Sequence, residues 1–191
     1  LGPNLRQDDI KKILLGSNGP FFKSDKVELT VFAMTTHSAI HIIRAELPHL
    51  EAVAGLFEGY RAFYRKEPDE AGAREFIRQR LSTQDSFIFL AITEAGTGVG
   101  FTQLYPLFTS LRMKKLWLLN DLFVLPEYRG RGISVQLIEQ AKELARESQA
   151  AGLMLETDKS NQVGNQLYPR TGFVLNAGSN FYVWDCPGVN N

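Results

Sequence analysis

One cysteine, Cys186, is all that 191 residues provide, so no intrachain disulfide can form and nothing ties the chain to an oxidising compartment. The expected location is therefore the cytoplasm. No apolar run approaches the roughly 18 residues that span a bilayer, and no signal peptide is evident, so no membrane partner is expected. Charge of one sign is lacking too. Lysine and arginine total 21 against 21 acidic residues, which removes the global field that would draw the molecule to nucleic acid or anionic lipid. The three histidines, His37, His41 and His49, have neither the spacing nor the carboxylate company of a metal site, and no metal is expected. A Gly-x-Ser-x-Gly elbow is missing, and Cys186 has no histidine near it in sequence, so covalent catalysis is not supported.

What is present is an ordinary globular composition, 44% hydrophobic and 22% charged, in a length that suits one domain. Residues 1–38 read as an N-terminal extension, with strand-like alternation only at Val27 to Met34. Ile40 to Arg44 is a strand candidate, and Leu50, Val53, Leu56, Phe57, Tyr60, Phe63 and Tyr64 follow at helical spacing. A second helix fits Asp69 to Leu81. Ser86 to Thr93 and Val99 to Tyr105, joined by Gly96-Thr97-Gly98, form a hairpin pattern. Lys115 to Leu125 is a central strand that carries Asn120 and Asp121, which a regular strand would point to opposite faces, outside any shared pocket. The period of Ile133, Leu137, Ile138, Ala141 and Leu144 marks an amphipathic helix. Leu153 to Leu155 is the next strand and Val163 to Arg170 a last helix, which Pro169 is expected to end early by removing a donor and disfavouring helical geometry at Tyr168. Terminal strands are expected near Phe173 to Leu175 and Phe181 to Trp184. Together these give one α/β (α+β) domain over 39–186 with a mixed sheet, and a tail at 187–191.

Between the central strand and the amphipathic helix lies Arg129-Gly130-Arg131-Gly132-Ile133-Ser134. A strand, a glycine-rich turn and a helix start form an arrangement that holds a diphosphate: glycines admit an anion close to the backbone, the first helical amides are free donors, and two arginines add charge. By itself the spacing fits a tightly packed strand-to-helix turn equally well. A Walker loop would need Lys and Ser/Thr after Gly132, where Ile133 stands. A Rossmann fingerprint would need a third glycine where Val135 stands.

The stretch Leu119 to Ser134 resembles the central motif of GNAT acetyltransferases, Arg/Gln-x-x-Gly-x-Gly/Ala, with Arg129, Gly132 and Ser134 at the defining positions and Ser134 departing from Gly/Ala. Downstream, Asn161-Gln162-Val163-Gly164-Asn165-Gln166-Leu167-Tyr168-Pro169-Arg170-Thr171-Gly172-Phe173 is similar to the family's Asn-x-x-Ala-x-x-Leu-Tyr-x-x-x-Gly-Phe, with Gly164 in place of Ala. The resemblance covers Ile40 to Trp184. It implies a GNAT-type domain with helices on both faces of the sheet and splayed central strands, and acetyl-CoA as donor with CoA as product. Leu122, Phe123 and Val124 would act through their main chain, Arg129 to Ser134 would cradle the diphosphate, and Asn161 and Tyr168 would complete the cofactor site.

Tyr168 stands where many members keep a tyrosine near the sulfur, as an acid for the departing thiolate, although a packed helix aromatic is the plainer alternative. Asp121 is a carboxylate in mid-strand, suited either to an arginine partner or to taking the acceptor's proton or holding its charge. The stretch is also similar to diamine and to fungal histone and polyamine acetyltransferases, which implies a small-molecule amine, polyamine or lysine-like acceptor by direct transfer in a ternary complex. Asn120-Asp121 replaces the acidic pair of the diamine enzymes. Tyr60, Phe63 and Tyr64 form either core or an acceptor wall, and the approach from Met113 to Trp117 is expected to help select the acceptor. A non-catalytic acyl-CoA sensor is the alternative function. The aromatic strand expected at Phe181 to Trp184 could pair across a homodimer.

Overall fold

The computed structural model describes residues 39–188. The expected extension at 1–38, with its strand over Val27 to Met34, and residues 189–191 lie outside the described residues. The order of elements is β1 (Ile40–Arg44), a 3-10 turn, α1 (Leu50–Phe63), α2 (Glu70–Thr83), β2 (Phe87–Thr93), β3 (Gly98–Thr109), β4 (Lys114–Val124), a second 3-10 turn, α3 (Ile133–Glu147), β5 (Leu153–Met154) and α4 (Gln162–Arg170). The five strands lie in the order β1-β2-β3-β4-β5, antiparallel except for a parallel β4–β5 pair. No described helix is long and apolar enough to cross a membrane.

The sheet is covered on both sides, which is why β2 reads as an unbroken apolar run. Phe89 and Ala91 face one way, into a core with Trp117, Leu119 and the α3 residues Leu137, Ile138 and Ala141. Ile88 and Leu90 face the other way, against Val53 and Leu56 of α1, Ile77 of α2, Phe101 and Phe123. The helical periods of α1 and α3 supply one stripe to each core.

Two irregularities of β4 create the interior space. Its pairing with β5 is limited to Trp117↔Leu153 and Leu118↔Met154, so from Leu119 onward the strands part, and one edge of β4 has no ladder partner among the described residues. This is the expected splay. The second irregularity is a bulge, because Leu104 pairs with Leu119 while Gln103 pairs with Asp121, which leaves Asn120 as the extra residue. Leu119 packs on the α3 side and Phe123 on the α1 side, although a regular strand would place both on one side. The bulge therefore puts Asn120 and Asp121 on the same face. Asn120 Nδ2 donates to Asp121 Oδ1 at 3.1 Å, which corrects the expectation that they diverge.

Two further expectations are corrected. The helix α4 runs past Pro169 to Arg170. In the last turn a proline forfeits a single intrahelical bond, and the chain closes behind it through Thr171 N to Leu167 O (3.1 Å), Phe173 N to Tyr168 O (3.0 Å) and Gly172 at φ 83°. Phe173 to Leu175 and Phe181 to Trp184 form no strands. β5 is only two residues long, so no ladder extends to them, and strand propensity without a partner makes no sheet. Leu175 and Trp184 are 89% and 79% exposed.

Candidate active site

The site begins where β4 ends. Leu125 N donates to Val99 O at 3.0 Å and fixes the exit, and the turn Pro126–Tyr128 delivers Arg129 to Gly132 at the start of α3. Gly130 and Gly132 lie at φ 74° and 75°, in the left-handed region where a side chain is strained. A Cβ built on either would meet no atom within 4 Å, so the space in front of the turn is open. Gly132 is the N-cap and gives α3 no side-chain cap. The first-turn amides are thereby left to whatever occupies that space.

The two arginines differ. Arg129 Nε donates to Val124 O at 3.0 Å, and its guanidinium lies 5.8 Å from the ring of Phe123 and 5.9 Å from that of Phe63. It borders the cavity described next. Arg131 bonds to Glu127 O at 2.9 Å and stacks 4.9 Å from the Tyr128 ring, outside that cavity.

A cavity of about 230 Å³ opens between the turn, the splayed edge of β4, α1 and α4. Leu122, Phe123 and Val124 form its floor beside Leu119 and Asn120. Arg129, Gly130, Gly132, Ile133 and Ser134 close one end. Ile133 is itself 2% exposed, so only its main chain is available to an anion. Asn161 and Tyr168 of the second motif border the same space. Asn161 is committed as the α4 N-cap, accepting from Gly164 N at 3.0 Å and donating to Thr157 Oγ1 at 3.0 Å.

Tyr168 is held by an edge-to-face contact with Phe173, at 5.9 Å between centroids. Burial raises its pKa and the neighbouring Tyr64 adds to the shift, so the phenol stays protonated at neutral pH. Of the aromatic cluster read either as core or as acceptor wall, Tyr60, Phe63 and Tyr64 all line the cavity, and Tyr60 also packs on the core, with its ring 6.2 Å from that of Phe101.

Asp121 lies behind this lining, 3% exposed. Burial raises its pKa, opposed by the hydrogen bond from Asn120 and by the nearby Tyr60 hydroxyl. Tyr60 is shifted upward in turn, by burial first and then by the Asp121 charge. A buried carboxylate without an arginine or lysine partner favours its protonated form, and no salt bridge among the described residues includes Asp121.

Met113 to Trp117 do not border the cavity. Trp117 is 1% exposed in the core with Nε1 bonded to Ser148 Oγ at 2.8 Å, and Met113 is 89% exposed. Sequence reasoning missed Glu156, which borders the cavity from the segment after β5 and lies in no periodic pattern. It also missed why position 164 is glycine: a Cβ there would come within 2.6 Å of Asn161 Nδ2 and 3.2 Å of Tyr168 Cε2. That glycine lets the helix cap and the tyrosine ring occupy adjacent positions.

Against known proteins, the model of the acetyltransferase (GNAT) family matches residues 53–173. The "Uncharacterized N-acetyltransferase YhfO" of Bacillus subtilis (strain 168) is 38% identical over 148 residues, covering 78% of this chain and 99% of that protein. The crystal structure of a probable acetyltransferase superposes with a TM-score of 0.73 at 35% identity, over 76% of this chain and 97% of the other. An aminoglycoside N-acetyltransferase, AAC(6')-Iy, solved with CoA, has a TM-score of 0.65 at 20% identity over 78% of this chain and 97% of its own, a likeness of fold.

Proposed function

The chain belongs to the acetyltransferase (GNAT) family, and from that premise we propose that it moves an acetyl group from acetyl-CoA to a primary amine, whether small amine, polyamine or lysine-like group, by direct transfer in one ternary complex. The observation that carries this reading is the shared cavity. Tyr168, the partnerless edge of β4 and the uncapped glycine turn border one space.

The residues fit the donor. Open space before Gly130 and Gly132 together with free first-turn amides suits a diphosphate, with Arg129 bordering the space and Arg131 available only after leaving Tyr128 and the Glu127 carbonyl. Ser134 adds a hydroxyl donor. The β4 edge at Leu122, Phe123 and Val124 offers main-chain groups to a pantetheine arm and donors to an oxyanion, and Asn161 keeps α4 in register with them. Acetyl-CoA supplies an acyl group activated as a thioester. The protein supplies two proton positions: Tyr168, bordering the cavity, would protonate the leaving thiolate, and Asp121 lies beside Asn120. Asp121 receives the acceptor's ammonium proton by way of water or the Tyr60 hydroxyl, and the faces of Tyr60, Phe63 and Tyr64 attract that cation.

Incubation with acetyl-CoA, a panel of amines and a thiol reagent tests the proposal. Amine-dependent thiol release is expected. Tight acetyl-CoA binding with no release on any amine would instead support a sensor. A second expectation concerns the turn: Gly132→Val forces a β-branched residue to φ 75°, so CoA binding measured by calorimetry should weaken about ten- to thirtyfold.

A further inference from the structure

Gln103 lies in the middle of β3 with no exposed surface, directly opposite Asp121 in the β3–β4 ladder. Phe101, two residues earlier, packs on the α1 side, and so does Ile88, the residue paired with Gln103 from β2. The Gln103 side chain therefore shares the face that the bulge assigns to Asp121, where opposed residues bring their Cβ atoms to about 5 Å. One end of its amide is fixed, because Nε2 donates to Ser86 Oγ at 2.8 Å. The other end, Oε1, is buried and has no partner among the described residues. A buried acceptor without a donor is unfavourable, and the neighbouring carboxylate, having no hydrogen, cannot provide one. The situation reverses once Asp121 carries a proton.

We propose that Gln103 is a positioning residue for proton transfer, its Oε1 accepting a hydrogen bond from the Asp121 carboxyl when that carboxyl has taken the acceptor's proton. This rests on the reading of Asp121 as the proton acceptor. In the step, an N–H bond of the acceptor ammonium breaks and an O–H bond forms on Asp121, directly or through an intervening water or Tyr60. The amine keeps its electron pair as the nucleophile. The new O–H finds its partner in Gln103, whose amide is held by Ser86, so the loaded state is favoured over that of an isolated buried aspartate. Burial pushes the Asp121 pKa in the same direction. The other groups facing this carboxyl are Tyr60 from α1 and Tyr64 at its C-cap, Tyr105 from β3 and Asn120 beside it, while Arg80 of α2 is engaged by Asp85 at 2.9 Å. None of these is a fixed positive charge on Asp121.

The test is a titration of the free protein, following the carboxyl carbon of ¹³C-labelled aspartate by NMR, with the Asp121 signal assigned by its loss in Asp121→Asn. In Gln103→Met, which keeps the length of the side chain and removes the acceptor, the Asp121 midpoint should fall by roughly half to one unit. The acid limb of the pH–rate profile, measured with whichever amine supports thiol release, should move with it. Gln103→Leu asks the same question if methionine is not accommodated. An unchanged midpoint would overturn the proposal. A rise would do so as well, since it would mean that the amide turns its Nε2 toward the carboxyl and favours the ionised form. If Asp121→Asn turns over amines as fast as the parent, the reading of Asp121 as proton acceptor fails, whatever the titration shows.

Discussion

Replacing Tyr168 with phenylalanine is expected to lower turnover by roughly 10² to 10⁴, with CoA affinity close to that of the parent protein. The substitution removes one oxygen from a ring held by Phe173 and accommodated by Gly164, so the ring and the shape of the cavity should persist. What is lost is a proton donor. A departing thiolate with a conjugate pKa near 8.5 is a poor leaving group unless protonated or hydrogen-bonded, and the raised pKa of Tyr168 keeps its proton available through neutral pH. The control is chemical. An aryl thioester has a more acidic thiol and needs less protonation, so the deficit of Tyr168→Phe should shrink with that donor. Calorimetry with CoA and steady-state rates with both donors decide the matter. An unchanged rate with acetyl-CoA would remove Tyr168 from the chemistry.

The parts of this site legible in the sequence are those written within a single element. The apolar periods of α1 and α3, the hairpin pattern of β2 and β3 and the glycines at 130 and 132 each follow from local sequence, because a helix stripe, a short β-rich run or a left-handed turn is a property of consecutive residues. The bulge at Asn120 is not local. It is a mismatch in register between β3 and β4, and a run such as Leu119-Asn120-Asp121-Leu122 looks the same whether or not the partner skips a residue. The apposition of Asp121 and Gln103, 18 positions apart, depends on that register and was equally hidden. The difference between Arg129 and Arg131 arises from which carbonyl each guanidinium reaches. The C-terminal strands illustrate the opposite failure. Phe181 to Trp184 has strong strand propensity, but the pattern cannot show that the preceding strand β5 is too short to receive it.

For Asp121→Asn two effects of opposite sign are expected, and together they separate a functional carboxylate from a structural one. An acceptor with a lysine-like pKa of about 10.4 is neutral in only about one molecule in 10³ at pH 7, so loss of the proton acceptor should lower kcat/KM there by roughly 10² to 10³. Raising the pH supplies neutral amine directly, and the variant's deficit should narrow as the pH approaches the amine's own pKa. Stability should change the other way. Burial raises the folded-state pKa of Asp121 above its ordinary value of 3.8, so its contribution to folding is most favourable below that value and is lost as pH rises through the folded pKa. At pH 7 an ionised Asp121 therefore opposes folding, and asparagine removes that charge while its amide can still accept from Asn120 and can donate toward Gln103. Melting followed by circular dichroism should show the variant above the parent at pH 7, by about 2 to 4 °C for each kcal/mol of desolvation cost removed in a chain of this size. The gap should close as the pH falls through the raised folded-state pKa and the parent aspartate becomes protonated. A variant that loses activity and melts lower at every pH would show that the carboxylate holds the fold together, and that its effect on rate is indirect.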